Sequence, residues 1–489
     1  MAIFLKRDTK VYLRKTVGAV SAIWEIPVLD GFSFSQGNTT SEVTLNEMES
    51  GTGYSKRGRR AFNDALAPAE WSFSTYIRPF KSTIAYSSVA TTGTGAGGGN
   101  NTFAVEEQLW ANFVGKGGWT TSASGILTVG TVTITGGVNG VYEVDQGEYT
   151  TNGAGFGATF IVTVTGPTVA TVAIVNPGSG YVAANTITIP GSVLGGSGNL
   201  TTTVGTLTAG ETAAYDSESE NFTRDSTDLN ISFAGSGVGT LGTFDLFFVM
   251  GATTATSLNY TGGPTIEIFK LSNCVVNEAT VNFEVDGIAM IDWSGNASTL
   301  TTEATFDAGA AITEGTTLTS NFIRNKLTAL SLVANTGVTR TAFPGASSNG
   351  VYNITLTGGS ITFSNNVTYL TPETLGIVNQ PIGHITGNKS VSGNFTAYVD
   401  FGLAGDSGSL FDAATSANAR SIVTNSFALT FKVGGTSATP RFEITLPTAH
   451  LEIPTIQTED VIAIDVAFSG LPSTITSNDE ATLVYVGAA

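Results

Sequence analysis

The sequence predicts an all-β fold with minor α content, built from two tandem sandwich- or barrel-forming β domains and a further β-sandwich inserted into the first. Three observations lead to this prediction. Glycine (59 residues), β-branched residues and small polar residues dominate, whereas charged residues make up only 12% of the chain, a composition typical of strands and turns. A long pattern of strands occurs twice. One of its copies is interrupted by a segment of domain size.

The clearest repeated pattern is a pair of strands around an acidic turn that ends in aromatic-Ser-Gly. It occupies residues 266–295 and ends there in Trp293-Ser294-Gly295; it recurs in residues 442–470 and ends there in Phe468-Ser469-Gly470. Alternation of apolar and polar residues on both sides of the turn is typical of half-buried strands. We therefore expect a β-hairpin at both places.

Fainter matches precede both hairpins in the same order. Each copy contains a strand, a long connection, a second strand, a short amphipathic helix with apolar residues on one face, and a third strand. The matched segments are 31–35 with 360–364, 71–77 with 393–399, the helix 104–114 (Leu109, Trp110, Phe113) with the helix 409–419 (Leu410, Phe411, Ala414), and 244–250 with 427–433. This order predicts one unit present twice.

The first copy contains an additional segment, residues 118–215, between its helix and its third strand. Strands are expected at 126–135, 159–165, 170–175 and 186–189, with turns at 176–181 and 190–191. Short strands separated by turns are typical of an Ig-like β-sandwich. The predicted domains are 1–117 with 216–318, the insertion 118–215, and 319–489.

This duplicated arrangement resembles the phage tail tube protein family. The resemblance rests on Trp71-Ser72-Phe73-Ser74-Thr75-Tyr76-Ile77 after a long loop, the short helix that follows and the closing hairpin. It implies tail-tube-type domains that form hexameric rings, whose inner sheets join into one barrel and whose stacking makes a conduit for DNA. Because two units are fused here, three chains should close a ring, giving a homotrimer with pseudo-sixfold symmetry.

The resemblance also implies where the protein acts and with what. It implies a structural, non-enzymatic protein of the virion tail, without a cofactor, that is synthesised in the bacterial host cytoplasm. Its partners would be further copies of itself, the tape measure protein, tail terminator or baseplate proteins and, in a contractile tail, the sheath. Double-stranded DNA would pass without specific binding, and no membrane is involved.

In that family the long loop between the first strands reaches the neighbouring ring. Here residues 36–68 form this loop, and the matching loop of the second copy, 365–387, is nearly uncharged. A basic cluster beside acidic residues favours contact with an acidic partner surface, whereas the alternatives are a solvated turn or nonspecific nucleic-acid binding. The residues of this suspected ring–ring interface are Lys56, Arg57, Arg59, Arg60, Glu42, Glu47 and Glu49.

The distribution of charge limits the functions that the chain can have. Residues 1–81 contain 11 Lys/Arg and 8 Asp/Glu, and the remainder contains 10 and 31, for a net charge of -18. This composition argues against a protein that neutralises DNA phosphates. If a surface lines a DNA conduit, its side chains should be small, polar or acidic, so that the polyanion does not stick.

The sequence also limits the compartment. Cys274 stands alone, so we expect no intrachain disulfide framework. No signal peptide is predicted, and no apolar run approaches the ~18 residues of a membrane span. These features predict a protein that is made in a cytoplasm.

Several patterns that suggest catalysis or ligand binding lack the residues that would complete a site. Gly405-Asp406-Ser407-Gly408-Ser409 imitates a serine-protease motif, but His384 lies only 23 positions upstream of Ser407, so we expect Asp406 to cap a helix. His384, His450 and Cys274 lack the spacing of a zinc site. The segment with Glu218, Glu220, Asp225 and Asp228 lacks a calcium-loop pattern and is expected to be a solvated linker. The glycine-rich run 93–99 lacks the Lys-Ser/Thr of a phosphate loop.

Two other functions remain as alternatives. A carbohydrate-binding tail fibre or adhesin would explain the inserted sandwich, but it should expose aromatic clusters, whereas the five tryptophans lie mostly within the repeated units: Trp24, Trp71, Trp110, Trp119 and Trp293. A glycan-degrading enzyme would need a pair of carboxylates as acid and base. The sequence points to no such pair.

Overall fold

A computed structural model gives the fold and confirms the prediction of an all-β protein with few helices. Most of both repeated copies and of the insertion can be described. The structure describes residues 4–17, 20–43, 60–82, 101–115, 120–144, 148–153, 156–179, 181–212, 222–233, 241–255, 258–309, 311, 316–375, 377–423, 425–435, 440–458, 461–475 and 477–487.

The elements follow the predicted order. The chain begins with β1 Thr9–Val17, β2 Val20–Ile26, β3 Ser33–Ser35, β4 Asn38–Val43, β5 Arg60–Leu66, β6 Ala69–Tyr76, β7 Pro79–Ser82, β8 Asn101–Ala104 and α1 Glu107–Val114. The insertion contains β9 Thr120–Ile126, β10 Thr133–Ile134, β11 Gly140–Val144, β12 Thr150–Thr151, β13 Phe156–Val164, β14 Ala170–Ser179, β15 Thr186–Ile189, β16 Leu200–Thr203 and β17 Leu207–Thr212.

The rest of the first half and the second half follow. They contain β18 Phe222–Arg224, β19 Asp228–Ser232, β20 Phe244–Met250, β21 Asn259–Thr261, β22 Glu267–Glu284, β23 Met290–Ala297, β24 Thr299–Thr302, β25 Thr305–Asp307, β26 Ala329–Ala334, α2 Val338–Ala342, β27 Val351–Ile354, β28 Leu356–Ser364, β29 Thr368–Leu370, β30 Gly383–Ile385, β31 Ser390–Tyr398, α3 Ser407–Thr415, α4 Ala417–Arg420, β32 Phe427–Val433, β33 Arg441–Leu451, β34 Thr455–Thr458, β35 Ile462–Gly470 and β36 Thr482–Val486.

Both halves pair their strands in the same order. In the first half β3 pairs with β6, β6 with β23, and β23 with β22. In the second half β28 pairs with β31, β31 with β35, and β35 with β33. The strands β22 and β33 also pair with β20 and β32, which in turn pair with β1 and β26. The repeat predicted from sequence is therefore present as a repeat of hydrogen-bonded topology.

The register corrects one of the predicted matches. Trp71 lies opposite Gly295, and Val391 lies opposite Gly470. Trp71 therefore corresponds to Val391, and the match of 71–77 with 393–399 is wrong by two residues. Shared Phe and Tyr residues favoured the displaced match, but strand pairing depends on which side chains fit the face opposite. A Cβ on Gly295 would lie 2.5 Å from the Trp71 ring, so a larger residue does not fit there.

The two halves join into one sheet. Residues 278–284 of β22 pair with residues 358–364 of β28, so the strands run continuously in the order β3, β6, β23, β22, β28, β31, β35, with the end of β33 and then β34 beside β35. We call this run the shared sheet. Among the described residues, β3 and β34 each have a strand partner on one side only, so they are its edges.

The apolar face of the shared sheet forms the main core. Its large side chains pack against α1, where Trp110 lies 4.8 Å from Trp293 and 5.6 Å from Phe363 between ring centroids. The C-terminal strand β36 pairs with β33 and with β19. Strand pairing thus crosses the predicted boundary between the two halves, which ties them into one body.

The insertion has a core of its own. A four-stranded sheet (β10, β16, β15, β12) and a three-stranded sheet (β11, β13, β14) enclose it, and β9 pairs with β17 where the chain enters and leaves. The predicted turn at 176–181 is wrong, because β14 continues through Pro177 to Ser179. Among the described strands β14 is an edge, where a proline without an N–H group is tolerated. The predicted strand 126–135 is also wrong for most of its length, because β9 ends at Ile126 and β10 contains only Thr133 and Ile134.

Candidate functional site

The face of the shared sheet opposite the core is polar. Alternate residues of each strand point to this face, and their side chains form hydrogen bonds from strand to strand. These bonds join Ser33 to Ser72 (2.8 Å), Ser74 to Asp292, Asn282 to Asp292 (2.8 Å), Thr280 to Thr362 (3.0 Å), Ser360 to Asn394 (3.1 Å) and Asn394 to Asp465 (3.0 Å). Most of the side chains at the centre of this face are small and polar, and the pairs above are hydrogen-bonded to one another, whereas Tyr76, Met290 and Tyr398 lie on the same face at the strand ends.

The same face is acidic. The segments that form the shared sheet are 33–35, 69–76, 278–284, 290–297, 358–364, 390–398, 449–458 and 462–470, and they contain no lysine or arginine. Their carboxylates on the polar face are Glu70, Glu278, Glu284, Asp292, Glu452 and Asp465. A surface that carries carboxylates and no basic side chains repels phosphate groups.

Two long hairpins extend from the same end of the shared sheet, where β3 and β28 end and β6 and β31 begin. The first arm contains β4 and β5, and the second arm contains β29 and β30. The arms contact each other, because Leu66 N–H donates to Asn379 O (2.8 Å) and Asn379 N–H donates to Asp64 O (3.2 Å). The first and second halves therefore present their arms together.

The second arm exposes large apolar side chains. Leu375 is fully exposed, and Ile377 and Ile382 are 68% and 72% exposed. Leu370, Val378 and Ile385 of the same hairpin are also exposed. Several large apolar side chains exposed on one hairpin are a candidate site of interaction with another molecule. The low number of charged residues in this loop is a feature of the sequence.

Only two residues of the suspected ring–ring interface lie in the described part of the chain. Glu42 lies on β4 opposite Ala61 and is exposed, and Arg60 begins β5 opposite Val43. The remaining residues lie outside the described part of the chain: Lys56, Arg57, Arg59, Glu47 and Glu49. The interface in the first arm therefore stays a prediction.

The protease-like motif is a helix cap, as expected. Asp406 is the N-cap residue of α3, and its carboxylate accepts a hydrogen bond from Ser409 N–H (2.8 Å). Burial favours the neutral acid, but the hydrogen bonds from Ser409 and Leu403 hold the pKa of Asp406 below its usual value. Ser407 Oγ donates to Tyr398 O (2.6 Å). The Ser407 hydroxyl therefore stabilises the loop before α3 and is not placed as a nucleophile.

Cys274 and the two histidines lie apart and do not form a site. His384 lies on β30 beside Tyr369, and burial lowers its pKa. His450 lies on β33 opposite Ser469, and Cys274 is buried in β22, where burial raises the pKa of its thiol.

Neither a metal site nor a membrane helix is found in the described part of the chain. The prediction of a solvated linker is wrong for Asp228, which begins β19 and lies opposite Val486 of β36. Asp225 accepts hydrogen bonds from the backbone of Thr227 and Asp228 in the β18–β19 turn, whereas Glu218 and Glu220 lie outside the described residues. Across the described ranges, no group of three or more His, Cys, Asp or Glu is placed to hold a metal ion. Within the same ranges, no helix has the length and apolar character needed to cross a membrane.

The comparisons with known proteins agree with the predicted resemblance. No protein-family model matches the chain. Over 222 residues it is 32% identical to the tail tube protein pb6 of Escherichia phage T5. The chain is similar to a phage tail tube protein. The match covers 44% of this chain and 45% of the relative, so the chain spans about half the length of the protein that it matches.

Among the alternatives, the adhesin gains no support from the structure. Trp24, Trp71, Trp110 and Trp293 are all buried in the main core, and Trp119 lies outside the described residues. Side chains that are enclosed in this way cannot stack on a sugar ring. The tryptophans of the two halves instead serve packing.

Proposed function

We propose that this chain is the building block of a phage tail tube, a structural protein whose rings stack around a conduit for DNA. The continuous shared sheet with a polar, acidic face carries this proposal. If that face lines the lumen, its carboxylates keep the phosphates of the genome from binding as it passes. The tail tube relative supports the same function.

We further propose that three chains close each ring. The two halves supply equivalent runs of strands to the shared sheet, so each chain would contribute two pseudo-equivalent units to a ring of six. A homotrimer with cyclic symmetry then closes the sheet into a barrel and leaves no exposed strand edges.

In the assembled tail, the two arms would contact the neighbouring ring. The apolar side chains of the second arm support this role, and the basic and acidic residues predicted in the first arm would add a charged contact beside it. The other partners would be the tape measure protein, tail terminator or baseplate proteins, and the sheath in a contractile tail. The site of action would be the tail of the virion, after synthesis in the host cytoplasm.

Negative-stain electron microscopy of the concentrated protein tests this function. We expect hollow tubes, or rings with threefold or pseudo-sixfold symmetry. A protein that stays monomeric at high concentration, and that also fails to assemble when the other tail proteins are supplied, would contradict the proposal.

We propose that the first tube domain consists of residues 1–117 and 216–318, that residues 319–489 form the second, and that the insertion 118–215 is an Ig-like decoration domain outside the tube. Its separate core and the pairing of β9 with β17 at its base support this assignment. Replacing residues 118–215 with a short Gly-Ser linker should therefore leave tube formation unchanged, as seen by electron microscopy. A folded deletion variant that forms no tubes would show that the insertion takes part in assembly.

A further inference from the structure

We propose that the two edges of the shared sheet bind each other between copies of this chain, in a register that the in-chain junction defines. In this contact β3 of one chain adds to residues 450–453 of the next, so that Phe34 faces Leu451 and Ser33 faces Glu452. The inference rests on the proposed function, because it describes how one ring subunit recognises the next.

The junction between β22 and β28 serves as the template. There the end of the first half pairs with the first strand of the second half, with Ala279 opposite Phe363 and Thr280 opposite Thr362. The hydroxyls of Thr280 and Thr362 lie 3.0 Å apart on the polar face. The chain therefore contains one complete example of a contact between two units.

The β22 strand of this junction has its counterpart at the end of β33. Ala279 lies opposite Trp293 in β23, and Leu451 lies opposite Phe468 in β35. Trp293 and Phe468 are equivalent, because each stands two residues before the glycine that faces Trp71 or Val391. Leu451 is thus the counterpart of Ala279, and Glu452 that of Thr280.

The β28 strand of the junction has its counterpart in β3. Phe363 lies opposite Val391, and Phe34 lies opposite Trp71, the residue that corresponds to Val391. Phe34 is therefore the counterpart of Phe363, and Ser33 that of Thr362. Both edges belong to the same sheet. Among the described residues β3 pairs only with β6, whereas β33 pairs with β32 on its outer side as far as Ala449 and has no strand partner there at Leu451.

A groove lies behind the β33 edge, on the apolar side of the sheet. It is lined by Leu410 and Ala414 of α3, by Phe343, and by Leu451, Ile453 and Pro454 of the edge. In the in-chain junction, Phe363 packs against Trp110 of α1, and α3 is the second-half counterpart of α1. Phe34 of β3 already packs against Phe248 and Phe269 of its own chain and is half-buried. The groove is therefore placed to cover the part of the Phe34 ring that these contacts leave exposed. Ile453, which is 64% exposed, would be covered by the same contact.

The side chain of Asn425 now occupies the hydrogen-bonding groups of this edge. Its amide donates to Leu451 O (2.8 Å) and accepts from Leu451 N–H (2.9 Å). Glu452 N–H donates inward to Ala467 O (2.9 Å), and successive residues of a strand direct these groups to opposite sides, so those of Leu451 point outward. Asn425 therefore covers an edge that would otherwise recruit strands indiscriminately, and β3 of the next chain would displace it.

A pair of cysteines tests the register. The variant Ser33→Cys with Glu452→Cys should form disulfides between chains under mild oxidation, because directly opposed residues in antiparallel strands have Cβ atoms about 4.5–5.5 Å apart. We expect bands of two and three linked chains on non-reducing gels, and neither single variant should give the three-chain band. Cys274 is buried and should not interfere.

The equivalent in-chain pair is the matched control. The variant Thr280→Cys with Thr362→Cys should form a disulfide within the chain. Two fewer thiols should then react with a thiol-labelling reagent, while the protein still migrates as a single chain on a non-reducing gel. Rings in the microscope without a Ser33–Glu452 crosslink, while the control pair is oxidised, would overturn the register and leave the proposed function intact. Absence of rings under every condition would overturn both.

The variant Asn425→Ala tests the displacement. Removing the two hydrogen bonds that compete with β3 should speed assembly about tenfold, measured by light scattering after dilution into assembly conditions. Asn335→Ala is the control, because the Asn335 amide binds Ser426 and Pro447 O nearby without touching the edge. Assembly no faster than that of the control would show that Asn425 does not cover the docking edge.

Discussion

Replacing Trp110 with alanine should lower the free energy of unfolding of the main body by about 3–5 kcal/mol, the usual range for a large aromatic side chain in a core. Trp110 is fully buried and connects α1 to both halves of the shared sheet through Trp293 and Phe363. Its indole N–H also donates to Tyr485 Oη (2.7 Å) in β36. The substitution would leave a cavity where the two halves meet and take a hydrogen-bond partner from Tyr485.

Urea unfolding monitored by far-UV circular dichroism measures this effect, because the backbone signal does not rely on the fluorescence of the substituted tryptophan. Trp110→Phe is the graded control, because it keeps most of the packing and loses the hydrogen bond, which contributes about 1 kcal/mol. The insertion has a separate core, so its transition should stay where it is in both variants. A loss below about 1 kcal/mol in Trp110→Ala would mean that α1 does not hold the halves together.

Charged residues at the tip of the second arm should abolish tubes while rings still form. In the variant Leu375→Asp with Ile377→Asp, both positions are exposed in the free chain, so the change should have little effect on folding. If the arm is buried against the next ring, each unpaired carboxylate at the contact costs several kcal/mol. The cost recurs at every copy in the ring, so stacking should fail completely.

Tube length in electron micrographs, together with sedimentation of the rings, measures this outcome. Val141→Asp with Val182→Asp provides the control, since both valines are exposed to a similar degree in the insertion and should not affect tubes. Tubes of normal length in the arm variant would exclude the second arm from the contact between rings.

The sequence predicts the local elements of this fold better than their partners. The hairpins that end in Trp293-Ser294-Gly295 and Phe468-Ser469-Gly470 were predictable because alternation and turn residues are local signals. The junction of β22 with β28 and the pairing of β19 with β36 were not. Pairing between distant strands depends on the shape of the opposing faces, which a pattern along one strand does not contain.

The same limit explains the misplaced match between 71–77 and 393–399. Aligning Phe73 with Phe395 and Tyr76 with Tyr398 matches more identical residues. In the structure, however, Trp71 lies opposite Gly295 and Val391 lies opposite Gly470, and these pairs set the correct alignment. Proline and glycine at 177–178 also led to a wrong prediction. They usually indicate a turn, but an edge strand tolerates a proline because the missing N–H group is not needed for strand pairing there.

The candidate site was only partly predictable. An acidic or small polar lining was expected from the charge of the chain, and the absence of lysine and arginine from the shared-sheet segments can be seen in the sequence once those segments are known. The exposed apolar tip of the second arm was not predicted, because the sequence alone does not show whether an apolar loop residue is exposed or packed against a neighbouring element. The sequence signal for Leu375, Ile377 and Ile382 is the concentration of large apolar residues in a loop with few charges.

The covalent link between the halves changes how a ring can begin to form. In a ring built as proposed, every second contact between units is the β22–β28 junction, which is complete as soon as one chain has folded. Fewer molecules must then meet to complete the first ring, so its rate of nucleation should depend less steeply on protein concentration than in a ring of unfused units. An infected cell would thus start tubes early, while the protein is still scarce.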